Sequence, residues 1–213
     1  MHTFVRTLQK VAMRYAPSRV LSFDMVHVFK TLQLINYKGH VSREFLCKEL
    51  ELGEGTVRTL VRHLKMNGMV ESSNAGTKMT KKGNSLLADL LASFPSETQL
   101  SKCKITLGKH NYAILIKEMS YAVKSGIEQR DAAVKVGASG ATTLLFKDNK
   151  FLIPQTNYDA LKTDEELAEQ LIQNLRPQED DVIIIGTDDS SRKRAEFAAK
   201  NAALITILSH EKH

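Results

Sequence analysis

Four side chains between positions 56 and 62 are of the types that proteins use to contact nucleic acid, namely Thr56, Arg58, Thr59 and Arg62. Arginine forms paired hydrogen bonds with guanine and with phosphate, and threonine hydroxyls bond to phosphate oxygens and base edges. Through the same stretch, apolar residues recur at intervals of three, one and three positions, which predicts the buried face of an α-helix: Val57, Leu60, Val61 and Leu64. The contact residues, together with His63 and Lys65, are expected on the exposed face.

A shorter helix is predicted immediately before this one. Ser42 can accept a backbone NH as its N-cap, and the helix then continues through residues 45–50. Two nearby glycines, Gly53 and Gly55, permit a tight connection between the two helices. The order predicts a helix-turn-helix, and Ser42 and Arg43 join the candidate contact residues.

A β-hairpin is predicted after the second helix. Asn67-Gly68 ends that helix, and residues 69–73 and 77–80 have the composition of two strands joined by a turn at 74–76. Basic residues in and after the hairpin could lie over a phosphate backbone: Lys78, Lys81 and Lys82. A helix over residues 84–91 would complete the small core. For each basic residue, a solvated surface position is the alternative explanation.

The order of these elements resembles the winged helix-turn-helix transcription regulators of the MarR, GntR and ArsR types, with residues 50–58 in the position of the family's turn. The resemblance covers about a quarter of the chain. It implies that the second helix enters the major groove of double-stranded DNA, where Thr56, Arg58, Thr59 and Arg62 meet bases and phosphates. It also implies that the hairpin, or wing, lies over the DNA backbone.

The distribution of charge favours the same function. Residues 1–100 contain 14 Lys and Arg against 8 Asp and Glu, whereas residues 101–213 contain 16 of each kind. The whole excess of six positive charges therefore lies in the N-terminal half. A surface that displaces counterions from phosphates needs such a bias, although chance and solubility would also explain it.

Two further helices are predicted ahead of the motif, on either side of Ala16-Pro17-Ser18. The second, residues 23–37, would be the first core helix of the winged domain. The first has an apolar stripe and a basic face, composed respectively of Phe4, Leu8, Val11 and Tyr15 and of Arg6, Lys10 and Arg14. Such a helix either dimerises the regulator or packs onto its own domain. A homodimer is expected, and both roles of the helix stay open.

The chain is long enough for two domains of about 100 residues each. The polar segment 93–101, which contains Pro95, has the composition of a linker between a winged helix domain at 1–95 and a second domain at 102–213. No apolar run approaches the roughly 20 residues of a membrane span, so a cytoplasmic protein is expected. Cys47 and Cys103 fit neither a disulfide nor a metal pattern.

The second domain alternates strand and helix patterns, which predicts an α/β sandwich and makes the whole chain a multi-domain α/β protein. Its helices are predicted at residues 127–136, 163–175 and 190–201. Its strands are predicted at residues 105–107, 112–116, 142–146, 151–153, 181–185 and 204–208. A turn at 147–150 would join two of the strands into a hairpin.

One candidate ligand site follows the first of these helices. Small and hydroxyl residues there could expose backbone NH groups to an anion: Gly137, Ser139, Gly140, Thr142 and Thr143. Charged residues of the preceding helix could line the same cleft: Glu128, Arg130 and Asp131. A helix C-cap followed by a tight turn explains the glycines equally well without a ligand.

A second candidate site lies at the end of the strand at 181–185. Thr187, Asp188 and Asp189 follow Gly186, and open α/β sheets bind ligands at such strand ends. The segment resembles half of a Rossmann-like unit, but it lacks the dinucleotide and Walker glycine motifs. The two carboxylates could hold Mg²⁺, or the segment could simply cap the next helix. We expect the two segments to share one cleft for a small polar ligand.

Catalytic patterns are not evident. The sequence shows no nucleophile paired with a base, no His-x-x-x-His and no Cys-x-x-Cys, and His210 and His213 have the character of a tail. We therefore assign no catalytic or metal-binding residue and no cofactor.

The whole chain also resembles a small archaeal family that joins a winged helix to an α/β domain of unassigned role, on the strength of residues 129–133 and 137–142. The leading hypothesis is a homodimeric DNA-binding transcriptional regulator whose C-terminal domain binds a small effector or a partner. One alternative makes that domain an enzyme for phosphate-containing substrates or a Mg²⁺-dependent enzyme, with the winged helix as an adaptor. Another leaves two architectural binding modules without a small ligand.

Overall fold

The computed structural model describes residues 3–13 and 21–210, and the chain divides into two compact units, Met1–Leu90 and Leu91–His213. The described helices of the N-terminal unit are α1 (Thr3–Val11), α2 (Met25–Lys38), α3 (Arg43–Leu50), α4 (Glu54–Met66) and α5 (Lys81–Ser93), the last of which continues past the division. Its hairpin consists of β1 (Val70–Ser73) and β2 (Gly76–Met79). The predicted order of helices and wing is confirmed.

Local hydrogen bonds explain where the early helices begin. The Asp24 side chain caps α2, and the Asp24 backbone NH donates to Nδ1 of His27 at 3.0 Å, which completes a capping box. The Ser42 hydroxyl accepts from the Phe45 backbone NH at 3.1 Å and caps α3 as predicted. Helix α2 therefore starts two residues later than its apolar pattern suggested.

Helix α1 packs onto its own unit. Phe4, Leu8 and Val11 are all buried, so the packing alternative is confirmed for this apolar stripe. Tyr15, Arg14 and the Ala16-Pro17-Ser18 segment lie outside the described residues.

The prediction that His63 faces outward is wrong, because this residue is only 3% exposed. Its Nδ1 donates to the backbone oxygen of Val11 at 2.9 Å, and its ring meets Phe23 edge to face. His63 therefore belongs to the buried face of α4, which meets the last residue of α1 at this point.

The tight connection between α3 and α4 is present, but the two glycines are not what permits it. Glu51 adopts the left-handed conformation at φ 55°, whereas Gly53 has φ −66° and Gly55 lies within α4. Positive φ is the conformation that glycine favours, and here a glutamate adopts it. Gly53 and Gly55 instead leave open space at the start of α4, since a Cβ on either would meet no atom within 4 Å.

The C-terminal unit is a five-stranded sheet with helices on both faces. Its strands and helices are β3 (Glu97–Leu100), β4 (His110–Ile116), α6 (Ile127–Lys135), β5 (Gly140–Lys147), β6 (Lys150–Leu152), α7 (Glu165–Leu175), β7 (Val182–Asp188) and α8 (Arg192–His210). The strand order is β3-β4-β7-β5-β6, and every neighbouring pair is antiparallel. The predicted α/β class is confirmed.

Alternation along β7 assigns the helices to the two faces. Ile183 and Ile185 share a core cluster with Leu167 and Leu171 of α7. A Cβ at Gly186, which points the other way, would lie 2.3–2.4 Å from backbone atoms of α8, so α8 packs directly on the opposite face. Helix α6 joins α8 through small residues such as Ala133 and Ala198. The result is a three-layer α/β/α sandwich.

Three sequence predictions in this unit are wrong. Residues 97–100, predicted as part of a linker, form β3, and residues 105–107, predicted as a strand, lie in a loop. Residues 204–208, predicted as the last strand, lie within α8. A short apolar run does not distinguish a buried strand from a buried helix segment, and the preceding alanines carry the helix through it.

A fully buried lysine connects α8 to the edge strand β3. Nζ of Lys200 lies 2.5 Å from Oε1 of Glu196 and 3.1 Å from Oε1 of Glu97, and 5.6 Å from the centre of the Tyr112 ring. Burial, and then the negative charges of Glu97 and Glu196, raise the pKa of the Tyr112 hydroxyl. The ion pair with Glu97 explains how a polar four-residue segment joins the sheet.

Replacing Lys200 by Met should destabilise the C-terminal unit, because the partly buried Glu97 and Glu196 would both lose the cation that they share. We expect the free energy of unfolding to fall by about 3 kcal/mol, measured by urea denaturation followed by circular dichroism. Lys135→Met, which removes an exposed cation from α6, is the matched control and should change it by less than about 0.5 kcal/mol. Equal stability of the two variants would show that the buried ion pairs do not hold β3.

Candidate nucleic-acid interface

The exposed face of α4 carries three cations in one line. Arg58, Arg62 and Lys65 are exposed and follow one another at intervals of four and three residues. That spacing places them on one side of a helix over a length of about 10 Å. A basic stripe of this size fits the width of the DNA major groove, about 12 Å.

The opposite face of α4 fixes this stripe in place. Val57, Leu60 and Leu64 are completely buried, so the helix cannot rotate without exposing them. Thr56 and Thr59 lie between the two faces and are half-buried. The Thr59 hydroxyl donates to the Gly55 backbone oxygen at 3.0 Å, which leaves its oxygen lone pairs for an incoming donor.

The arginines of the stripe differ in their present partners. Arg58 forms an exposed ion pair with Glu54 at 2.8 Å, one turn earlier in α4. Among the residues that the structure describes, Arg62 has no carboxylate partner. An incoming phosphate or base would therefore compete with Glu54 for Arg58. It could bind Arg62 without displacing a carboxylate. The sequence pattern did not distinguish the two.

The wing is held to the rest of the unit by backbone pairing. Val41 and Thr77 exchange hydrogen bonds of 3.0 and 2.9 Å, and a Cβ at Gly76 would lie 2.6 Å from the Val41 backbone oxygen. Only glycine allows this approach, so the hairpin lies flat against the start of α3. Lys65 of α4 also donates from Nζ to the hydroxyl of Ser72 in β1. Helix α4 and the wing are thereby linked.

The remaining predicted contact residues lie at the surface of the unit. Lys78 pairs with Glu71 across the hairpin at 2.9 Å. Lys81 and Lys82 are exposed in the first turn of α5 rather than ahead of it, and Nζ of Lys82 donates to the Asn67 backbone oxygen at 3.0 Å. Ser42 and Arg43 are exposed at the start of α3. Among the eleven candidates only His63 is buried.

The two segments predicted to bind a ligand lie on adjacent strands. Gly140 of β5 pairs with Thr187 of β7, and Thr142 pairs with Ile185. Because side chains alternate along a strand, Thr142 and Thr187 point to the α7 face and Thr143 and Asp188 to the α8 face. These side chains therefore do not line one cleft. The strand-end rule of parallel sheets does not apply either, since this sheet is antiparallel.

Two of the predicted ligand-binding hydroxyls anchor the loop at residues 101–109. The Thr142 hydroxyl donates to the Ile105 backbone oxygen at 2.8 Å, and the Thr187 hydroxyl accepts from the Gly108 backbone NH at 2.8 Å. A Cβ at Gly108 would lie only 2.5 Å from the Thr187 hydroxyl oxygen, so the loop depends on a glycine there. These two hydroxyls, which were expected to meet a ligand, instead bond to the protein's own backbone.

Asp188 closes the turn that leads into α8. Its Oδ1 accepts from the backbone NH and the hydroxyl of Ser190, both at 2.9 Å, and from the backbone NH of Ser191 at 2.8 Å. Burial alone raises the pKa of Asp188, but these hydrogen bonds and the charge of Arg194 outweigh burial, so its pKa is lower than usual. The Oδ1 of Asp189 accepts from the Lys109 backbone NH at 3.3 Å. The capping alternative is met by Ser191, whose hydroxyl accepts from the Arg194 backbone NH at 3.3 Å in the first turn of α8.

The other predicted ligand residues lie at the surface of α6 and its C-terminal turn. Glu128, Arg130 and Asp131 are exposed, and the last two pair with each other at 2.8 Å. Gly137 ends the helix at φ 82°, the C-cap role that the sequence left open. Ser139 is exposed, and its backbone NH donates to the backbone oxygen of Thr187 at 3.1 Å.

The C-terminal unit has surface depressions away from the predicted ligand residues. Three surface depressions, with volumes of about 350, 530 and 780 Å³, are lined by other residues of this unit. Within the described ranges, no three His, Cys, Asp or Glu side chains are grouped to hold a metal ion. The same ranges contain no helix long and apolar enough to cross a membrane.

Two parts of the chain are similar to two different protein families. Residues 25–93 match the family described as the CggR N-terminal DNA binding domain, and residues 107–207 match DUF4443, a domain of unknown function. A solved structure, a hypothetical protein from Pyrococcus horikoshii OT3, is similar with a TM-score of 0.69 and 29% sequence identity over 87% of this chain and 93% of that chain. No curated protein matches. Residues 25–93 are thus similar to a DNA-binding domain, which agrees with the predicted class.

Removing the two arginines of the stripe one at a time should give unequal losses of DNA affinity. Arg62→Ala should cost about 1 to 3 kcal/mol at a preferred site, and Arg58→Ala less, because Arg58 must first give up Glu54. Glu54→Gln should tighten binding for the same reason. Fluorescence anisotropy at fixed salt measures all three, with Lys135→Ala in the C-terminal unit as the single-charge control. Affinities of Arg62→Ala and Arg58→Ala that both equal that of the control would remove α4 from the interface.

Replacing Asp188 by Ala should lower the free energy of unfolding by about 2 kcal/mol in the absence of any ligand, since three donors lose their acceptor. A carboxylate with a lowered pKa stabilises the folded state above its ordinary pKa, and this contribution is lost as the pH falls through the folded value. The difference from wild type should therefore shrink below about pH 4. Asp131→Ala is the exposed control. A stability gap that stays constant with pH would contradict the role of the carboxylate charge.

Proposed function

We propose that the protein is a sequence-specific transcriptional regulator that binds double-stranded DNA through its N-terminal winged helix-turn-helix. The observation that carries this proposal is the exposed line of Arg58, Arg62 and Lys65 on α4, supported by a buried face on the same helix. The match of residues 25–93 to a DNA-binding domain supports the same assignment. Within the winged helix class, the order of elements resembles the MarR, GntR and ArsR types.

In the proposed complex, α4 lies in the major groove. Arg62 and Arg58 donate to base edges or phosphates, and Thr56 and Thr59 accept or donate beside them. The open space around Gly53 and Gly55 lets a phosphate approach the start of α4, where backbone NH groups are available. The base-reading part of the surface is therefore rigid and small.

The wing and the helix ends supply contacts that do not depend on sequence. Lys78 and Lys81 lie in and after the hairpin, and Ser42 and Arg43 lie at the start of α3. Each cation that neutralises a phosphate releases counterions and strengthens the dependence of affinity on salt. The positive excess of residues 1–100 is consistent with this role.

The proposal includes a homodimer, in which two α4 helices read two half-sites. It also gives the C-terminal domain a sensing role: a small effector or a partner that binds one conformation better shifts the DNA-competent population. The depression between residues 101–103 and α7, about 350 Å³ in volume, has a size suited to a small polar molecule. Such a regulator works in the cytoplasm.

Selection of bound sequences from a random pool of duplexes, with the purified full-length chain, tests this function. We expect enrichment of a two-fold symmetric site with half-sites about 10 base pairs apart, or a multiple of that distance. The Arg62→Ala variant, selected in parallel, should lose base preference at specific positions of each half-site. Equal affinity for selected and unselected duplexes would contradict sequence-specific recognition.

A further inference from the structure

A second group of cations lies on the C-terminal unit, where the loop at 101–109 meets the start of α8. Lys109, Arg192 and Arg194 are exposed, and we refer to these three as the basic rim. The chain brings them together through the turn at 188–191: the Lys109 backbone NH donates to Oδ1 of Asp189 at 3.3 Å, and Nη1 of Arg194 lies 3.4 Å from the Ser190 hydroxyl. Two segments about eighty residues apart in sequence thus form one surface.

The carboxylates near the basic rim offset it only in part, and Asp188 does so from a buried position, where the charge of Arg194 helps to lower its pKa. Asp188 is buried and accepts three hydrogen bonds from Ser190 and Ser191, and Glu196 pairs with the buried Lys200. Asp189 is the exposed carboxylate of the turn. Three exposed cations therefore face one exposed anion, in a domain whose basic and acidic residues are equal in number. Because the C-terminal half of the sequence has no net charge, its composition did not indicate a local excess of positive charge at the basic rim.

The basic rim is also preorganised. The loop that carries Lys109 is anchored by the hydroxyls of Thr142 and Thr187, and the amide of Asn111 donates to the Ser101 backbone oxygen at 3.1 Å. A surface that is already ordered loses little conformational entropy when it binds. This separates the basic rim from solvated lysines on mobile tails.

We propose that the basic rim is a second surface for the phosphate backbone of double-stranded DNA, so that the C-terminal domain contributes sequence-independent contacts to the complex. The inference rests on the proposed function of the N-terminal domain and extends it. Phosphate is the partner that fits, because the surface offers three exposed cations against one exposed carboxylate. Its contacts raise affinity for every sequence and leave site preference unchanged.

The test neutralises the basic rim in the full-length chain by Lys109→Gln, Arg192→Gln and Arg194→Gln together. The logarithm of the association constant is measured against the logarithm of salt concentration, with the selected duplex and with an unselected duplex of equal length. We expect the slope to lose roughly three units, about 0.9 for each lost phosphate contact, on both duplexes. The ratio of the two affinities at each salt concentration should stay at the wild-type value.

A second triple variant controls for net charge. Lys135→Gln, Lys150→Gln and Lys162→Gln remove three exposed lysines from other parts of the same domain and should leave the slope close to wild type. The double variant Lys109→Gln with Arg192→Gln guards against loss of the Arg194 contact with Ser190, and its slope should fall by about two units. Circular dichroism checks that each variant is folded.

Equal slopes for the two triple variants overturn the proposal. That result is also expected if the basic rim binds an acidic protein rather than DNA. If Arg62→Ala still loses affinity in that case, the proposed function stands and only the basic rim is excluded. A wild-type chain that binds neither duplex overturns both.

Discussion

Burial of one face of α4 is the constraint on which the proposed interface depends. Val57, Leu60 and Leu64 are completely inside the unit, and the buried His63 ties α4 to α1 through the Val11 backbone oxygen. Since these contacts fix the rotation of the helix, they also fix the direction of the line that begins at Arg58. The cations themselves are weakly held and exposed. The packing of α4 sets the direction in which its cations point, and these cations favour a negatively charged partner.

In the C-terminal unit, polar side chains serve mainly to hold the backbone in place. Thr142, Thr187 and Asp188, which looked available in sequence, use their hydrogen-bonding atoms to hold a loop and a turn in place. Buried polar groups are expensive to leave without partners, so such use is the usual outcome inside a sheet. What these bonds produce is an ordered surface at the turn before α8. The buried Lys200 has a comparable role at the edge of the sheet.

Periodicity and caps were enough to predict the N-terminal elements in order, because each signal there is local. His63 escaped this reasoning, since its burial depends on a helix far away in sequence. In the C-terminal unit the apolar run at 204–208 fits strand and helix equally, and only packing decides between them. Local patterns also could not predict that neighbouring strands pair in antiparallel fashion. Because the sheet is antiparallel, the rule that places ligands at the ends of parallel strands does not apply to it. The sequence did not indicate that Arg192 and Arg194 belong to a basic surface. Folding shows it, because the Lys109 backbone is bonded to the turn that precedes these two arginines.

We propose that Arg62 on α4 reads bases in the major groove, and dimethyl sulfate probing of the selected duplex tests this role most directly. This reagent methylates guanine N7 in the major groove and adenine N3 in the minor groove, so the two grooves are reported separately. The account predicts that wild-type protein protects guanine N7 positions in each half-site and that Arg62→Ala loses protection at some of them. Protection confined to adenine N3, or guanine protection identical in the two proteins, would contradict it.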